Sequence, residues 1–450
     1  MHKAPALDCP FNPARPRQRT AFAPVANSVT ERSPNPSIIC NERPYPTCSR
    51  HWPTNLPMQL TDALQQRYLV LRDNFGIGLT TPTDNRTHLD AAIAWLKHAQ
   101  DVTGNGGVAQ TWLVRLKKWA PSYPETTGYI IPTFYRYAAL AGDDDARQRA
   151  RRMADWEIDI QHPTGGVLAG ALGDSDQPTV FNTGQVIFGW VRAFEEEGDE
   201  RYREAAVRAS NWLCDIMDDD GCWRQFGSPM TSKHINTYNT RSAWSLARAH
   251  EITGEQRFLD AAVRNCEWAL TQAEANGWLN TNCLQDNAQP FTHTIAYAMR
   301  GLLEIGAYAQ REDFLKVARQ IGDAMIAALP ENGFLPGRFD SQWQPTVKWS
   351  CLTGDCQLGI NWGRLYQITG EAKYRDGTSR VLIFVKKTQR LNRGDINTDG
   401  GIKGSHPING GYHPWQYPNW ATKFYADALI MDQSNLSGTP YVIAKRNAQA

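Results

Sequence analysis

No CxxC pair and no Cys/His cluster at ligand spacing occurs in this chain, which argues against a structural or catalytic zinc site and against any chemistry that needs one. It lacks an excess of either charge: 47 basic and 46 acidic residues give a formal net charge of +1, which removes the electrostatic case for nucleic acid as a partner. No apolar run approaches the length of a membrane span, and the basic residues near the amino terminus are followed by no apolar segment of a secretory leader. A cytoplasmic protein without a cofactor is therefore the expectation. Nine cysteines are an odd number, and Cys214, Cys266 and Cys356 fall in expected helices, so they read as reduced packing residues. The DINTDGG run from Asp395 begins like a calcium loop, but His406 stands at the twelfth position where an acid is needed, and the run reads as a turn.

What is present is a repeat. From Tyr202 the apolar residues Tyr202, Ala205, Ala206, Ala209, Trp212, Leu213 and Ile216 share one face of a 3.6-residue period, the mark of a helix lying on a surface. The helix before it, Gly184 to Glu197, is apolar over more of its circumference and belongs inside. Sliding by 56 residues lays Gly254 on Gly198, Phe258 on Tyr202, Ala261 and Ala262 on Ala205 and Ala206, and Trp268 on Trp212. Gly142 and Trp156 match one step back; Phe314 and then Tyr374 match forward, with Phe384 at the tryptophan position. The turns recur as NGGV, TGGV, DGCW, NGWL, NGFL and DGGI, at Asn105, Thr164, Asp220, Asn276, Asn332 and Asp399, which implies six hairpins.

Inner helices are expected to begin near Thr126, Thr183, Asn239, His293, Asp355 and Trp420, and outer helices near Leu89, Asp145, Arg201, Arg257, Asp313 and Lys373. The first periodic helix is outer and the last inner, so the two can pair and close a ring without the polar capping repeats of an open solenoid. Residues 1–55, rich in Pro, Arg, Ser and Asn, read as a flexible or extended arm, and residues 56–450 as one domain. The alternation of six inner and six outer helices resembles the (α/α)6 toroid shared by many carbohydrate-active enzymes, some isoprenoid enzymes and sugar epimerases. The resemblance covers about residues 85–432 and rests on the repeat. It implies an all-α fold with short β-like loops at one end, and a site where those loops meet the inner helices.

Counting 13 residues back from the bend glycine gives Tyr129, Gln185 and Arg241, then Tyr297 in the repeat that lacks its glycine, then Gln357, with Lys423 as the equivalent in the last helix. Neighbouring columns add Glu125, Asn182, Tyr238, Asn239, His293 and Asp355. Thr183, Asn239 and Asp355 taken singly read as N-caps. A column of Gln, Arg and Lys facing buried neighbours is costly unless paired, and a shared wet mouth explains it. Among the 16 tryptophans, Trp156, Trp212 and Trp268 form one packing column, whereas Trp415 and Trp420 in the run from Gly410 to Trp420 are candidate platforms for a sugar ring.

Glycoside hydrolysis needs a pair of carboxyl groups across the bond, and the acids near the mouth, among them Glu125, Asp176, Asp286 and Asp355, belong to no diagnostic motif. The column itself contains no carboxylate, which suits an anionic sugar. Polysaccharide lyases and uronyl epimerases of this fold use an Asn, His, Arg and Tyr set similar to Tyr238, Asn239, Arg241, His293 and Tyr297. That likeness implies Arg241, with Gln185 or Asn239, as ligands of a uronate carboxylate, His293 or Tyr297 as base, and Tyr129 or Tyr238 as acid. The expected partner is an oligosaccharide or polysaccharide. A hydrolase and a non-catalytic glycan-binding toroid are the alternatives.

Overall fold

The computed structural model describes residues 60–229, 231 and 235–438, so the amino-terminal arm, and with it the expectation made for residues 1–55, lies outside the described residues. After a first helix, α1 (Leu60–Asn74), the six outer helices are α2 (Asn85–Asp101), α4 (Asp144–Asp159), α6 (Glu200–Asp215), α8 (Gln256–Thr271), α10 (Glu312–Ala327) and α12 (Ala372–Thr388). The six inner helices are α3 (Pro124–Ala141), α5 (Val180–Glu197), α7 (Thr240–Thr253), α9 (Thr292–Ala309), α11 (Leu352–Thr369) and α13 (Asn419–Ser437). Each inner helix packs on the next, and α13 packs on α3, α11 and α2, which closes the ring. Among the described residues no helix is long and apolar enough to cross a membrane.

The glycines of the repeat show how the chain turns and closes. Gly142, Gly198, Gly254 and Gly370 end their inner helices with φ between 66° and 74°, the left-handed conformation that glycine adopts without strain. In the repeat without this glycine, Gln310 takes the same conformation at φ 55°. The turn after each outer helix lies against the next outer helix: a Cβ on Gly221 would fall 2.4 Å from the Arg264 carbonyl oxygen of α8. A Cβ on Gly400, after the last outer helix, would fall 2.2 Å from the Ala91 carbonyl oxygen of α2, so the sixth turn docks on the first hairpin as the others dock on their successors.

Two of the expected caps lie three residues inside their helices. Thr183 donates to the Thr179 carbonyl and accepts the Val167 amide of the preceding turn, and Val108 and Ile402 bond to Thr127 and Thr422 in the same way. Asp355 accepts from Ser350 Oγ instead of from a backbone amide. Asn239 is the residue before α7, in a 3-10 turn (Thr237–Asn239), with no side-chain cap bond. The loops at this end form short sheets: β1 (Thr111–Leu113) pairs antiparallel with β2 (Lys118–Trp119) and β5 (Gln416–Pro418), and β3 (Ser350–Cys351) with β4 (Ser405–His406). In the DINTDGG turn, Asp399 accepts the amides of Arg393 and Gly394, so its carboxylate is used in holding the loop.

Candidate active site

All six inner helices run in one direction, so their amino-terminal ends surround one mouth of the ring. Tyr129 of α3 and Tyr297 of α9, each in the second turn of its helix, stand across the axis and border two cavities. The upper cavity opens at the mouth and the lower lies along the middle of the inner helices, each of about 60 Å³.

Aromatic rings make most of the upper wall, including Tyr238, Phe181 and Trp420. His293, in the first turn of α9, has its ring 4.5 Å from that of Tyr297 and 5.1 Å from that of Tyr412, and its Nδ1 lies 3.0 Å from Gln357 Oε1. Burial pushes its imidazole down to about 3, so it is neutral at physiological pH. Glu125, in the first turn of α3, accepts a 2.5 Å hydrogen bond from the Tyr123 hydroxyl. Burial raises its carboxyl to about 7, against the lowering effect of that bond. One cavity thus holds a carboxyl group that keeps its proton to neutral pH and an imidazole that is unprotonated there. Glu125 is the one carboxyl group that lines it among the described residues.

The lower cavity is lined by charge. Lys423 Nζ pairs with Asp427 Oδ2 at 2.7 Å, and burial lowers its ammonium to about 8 despite that partner. Arg241 Nε donates to Gln185 Oε1 at 3.1 Å, and its guanidinium lies over the rings of Phe188 and Trp244 at 4.6 and 4.7 Å.

Of the residues singled out from the sequence, Glu125, Tyr129, Tyr238, His293, Tyr297 and Trp420 line the upper cavity, and Arg241, Gln357 and Lys423 line the lower one together with the two shared tyrosines. Five line neither. Gln185 holds Arg241; Asn182 donates to the Leu168 carbonyl; Asp355 is fully buried on Ser350; Asn239 sits in its turn; Trp415 stacks with Arg115 at 4.5 Å. Arg241 therefore lines the lower cavity and not the upper one, with its guanidinium on Gln185 and the rings of Phe188 and Trp244. Asp176 and Asp286, the acids considered for a hydrolase pair, also lie outside both cavities. Sequence reasoning passed over Tyr123 and His413. Tyr123 precedes α3, two residues from Glu125, and His413 packs on Trp420 at 4.7 Å with its imidazole pushed down to about 4 by burial. Among the described residues no group of three His, Cys, Asp or Glu could hold a metal ion.

A family model described as the ulvan lyase N-terminal domain matches residues 157–361. No curated protein matches the sequence. Solved structures similar to this one include an unsaturated glucuronyl hydrolase responsible for the degradation of glycosaminoglycan, from Bacillus sp. GL1, at TM-score 0.62 and 15% identity over 81% of this chain and 100% of that one. The cellobiose 2-epimerase of Bacillus thermoamylovorans B4167 is similar at TM-score 0.64 and 10% identity over 78% and 98% of the two chains. A family 88 glycosyl hydrolase of Bacteroides vulgatus is similar at TM-score 0.56 and 10% identity over 78% and 99%. At such identities the likeness establishes the fold, and the chain is an (α/α)6 toroid of the six-hairpin type.

Proposed function

We infer that the protein is an enzyme acting on a uronate-containing oligosaccharide by proton transfer at a sugar carbon, as a lyase that eliminates across C4–C5 or as a C5 epimerase. The observation that carries this reading is the opposed tuning of Glu125 and His293 in one cavity. His293 removes the C5 proton with Tyr297 beside it; in elimination the electron pair forms the C4–C5 double bond, the C4–O bond breaks, and protonated Glu125 gives its proton to the leaving oxygen. Tyr129 and Tyr238 supply hydroxyl donors, and Trp420 and Tyr412 offer rings to the apolar face of a sugar.

An acidic substrate is favoured by the mouth itself. Six helix amino termini converge on it, each with the positive end of its dipole, and these stand in for a side-chain cation, since among the described residues no Lys or Arg lines the upper cavity. The glucuronyl specificity named for a similar structure and the lyase named by the family model point the same way. A hydrolase is the second reading: Glu125 in its acid form suits protonation of a glycosidic oxygen, although among the described residues no second carboxyl lines the upper cavity. Ultraviolet absorbance and product mass after incubation with uronate and neutral oligosaccharides separate the readings. An absorbing, unsaturated product lost in His293→Ala supports elimination, and deuterium uptake at C5 without cleavage supports epimerisation. Water added without absorbance moves the assignment to a hydrolase, and no reaction with any uronate sinks both readings.

A further inference from the structure

The chemistry above leaves the lower cavity without a use, yet two of its buried groups lack what burial demands. Arg241 is only 7% exposed, and its single hydrogen bond goes from Nε to a neutral amide. The other cations there have carboxylates: Lys423 and Arg136 share Asp427, at 2.7 and 3.5 Å, and Arg300 has Glu304 at 2.8 Å. Among the described residues no carboxylate pairs with Arg241, and an enclosed guanidinium without a counter-charge is strongly disfavoured. Gln357, 4% exposed, uses its Oε1 on His293, while its buried Nε2, near the Tyr297 hydroxyl, makes no full hydrogen bond. A missing negative charge and a missing acceptor thus line one cavity.

We propose that the lower cavity binds one small monovalent anion, of chloride or formate size, between Arg241 and Gln357, and that this anion orients the imidazole of His293. A single charge matches the single uncompensated guanidinium, and Asp427 on the same wall opposes a second one. Tyr129 and Tyr297 stand between this cavity and the mouth, so the ligand is a free ion and not the acid group of the bound sugar. With Nε2 of Gln357 donating to the anion, Oε1 is fixed as the acceptor from Nδ1–H of His293. The Nε2 lone pair of the imidazole then faces the substrate, the tautomer a base requires. This orienting role rests on the reading of His293 as base; the binding does not.

The test uses the full chain without glycan, titrated calorimetrically with sodium chloride and sodium formate against a bulky organic sulfonate at constant ionic strength. Saturable one-site binding is expected, weakened at least about tenfold in Arg241→Gln and unchanged in Arg86→Gln, whose partner Asp90 lies on the outer surface. Bromide-soaked crystals give a second readout independent of any variant: an anomalous peak beside Arg241 supports the site. No saturable binding, no peak, undiminished binding in folded Arg241→Gln, or competition between formate and a uronate oligosaccharide would each overturn it. Turnover that is equal in chloride and in sulfonate overturns the orienting role while the titration still reports on binding, so failure of the glycan chemistry and failure of the anion site are told apart.

Discussion

Above and below the Tyr129–Tyr297 layer, the same inner helices build two cavities of similar size and opposite character. Above it, ionisable groups are pushed toward neutrality: burial raises Glu125 to about 7 and lowers His293 to about 3 and His413 to about 4. Below it, charges persist in the same degree of enclosure and, Arg241 excepted, they come in pairs: Asp427 is held below the usual carboxylate range against its burial by Lys423 and Arg136. Depth does not decide whether a group stays charged; an opposite charge beside it does. The upper cavity, with unpaired groups, is suited to moving protons, and the lower, where every charge but that of Arg241 is paired, to holding charge in place.

The largest expected effect breaks the upper half of that contrast. His293→Ala and Glu125→Gln should each lower kcat/KM by about 10²–10³, roughly 3–4 kcal/mol of transition-state stabilisation. The pH profile assigns the roles. Activity that needs Glu125 protonated falls as pH rises through about 7, whereas the neutral imidazole of His293 is lost only as pH falls toward about 3. Glu125→Gln should lack the alkaline limb, and a limb that survives in this variant would remove Glu125 from the acid role.

A backbone change should come next. A Cβ at Gly354 of α11 would fall 2.1 Å from Thr292 Oγ1 and 2.7 Å from the His293 amide nitrogen, so Gly354→Ala must push the start of α9 and with it the base. A loss of about 1–3 kcal/mol in unfolding free energy is expected, with a fall in kcat in the protein that remains folded. Gly359→Ala, on the same helix at the level of the lower cavity, meets nothing closer than Val381 Cγ1 at 3.3 Å and should cost less than about 1 kcal/mol. Helix propensity favours alanine at both positions, so equal losses from the two in denaturant titrations would show that the contact with α9 is not what destabilises Gly354→Ala.

Glu157 extends the comparison to a buried carboxyl that serves no cavity. It is fully buried on α4, both oxygens lack partners, and burial raises its pKa well above the usual value. The equivalent positions one, two and three repeats on carry Leu213, Ala269 and Met325. Because the folded pKa lies above the unfolded one, its contribution to stability is fully present below about 4.5 and is lost as pH rises through the folded value. Glu157→Leu should raise stability at neutral pH by about 1–3 kcal/mol and flatten that slope. A variant less stable than wild type at pH 7 would mean that the carboxyl has a partner in solution.

The fold was legible because the hairpins repeat one solution at near-constant spacing: the bend glycine recurs at Gly142, Gly198, Gly254 and Gly370 and the packing tryptophan at Trp156, Trp212 and Trp268, and Gln310 stands where the glycine is missing. The site was half legible. Column position gave helix level, which is why Glu125, His293 and Tyr297 came together, but it carried no information on side-chain direction. Asp355 and Glu125 begin different inner helices at nearly the same level, yet one turns to Ser350 and the other into the cavity. Nor did the column distinguish above from below, since Arg241 and Tyr297 share it, yet Arg241 lines the lower cavity alone and Tyr297 borders both. Tyr123 and His413 lie in loops outside the repeat, where periodicity says nothing; the Tyr123–Pro124–Glu125 string at a helix start was the one local signal available.

The two loop tryptophans give the smallest expected effects and a direct test of which aromatic belongs to the site. Trp420 donates from Nε1 to the Tyr412 hydroxyl at 2.9 Å inside the upper cavity, whereas Trp415 lies outside it over Arg115. Trp420→Phe keeps a ring but leaves the Tyr412 hydroxyl without its donor, so KM should rise a few-fold, about 0.5–1 kcal/mol, with kcat little changed. Trp415→Phe keeps its stacking and should alter KM by less than about twofold, within the range of substitutions remote from a site. The reverse order would place the sugar platform on the outer rim, over Trp415, and would make the six-helix mouth an entrance to the binding surface instead of the surface itself.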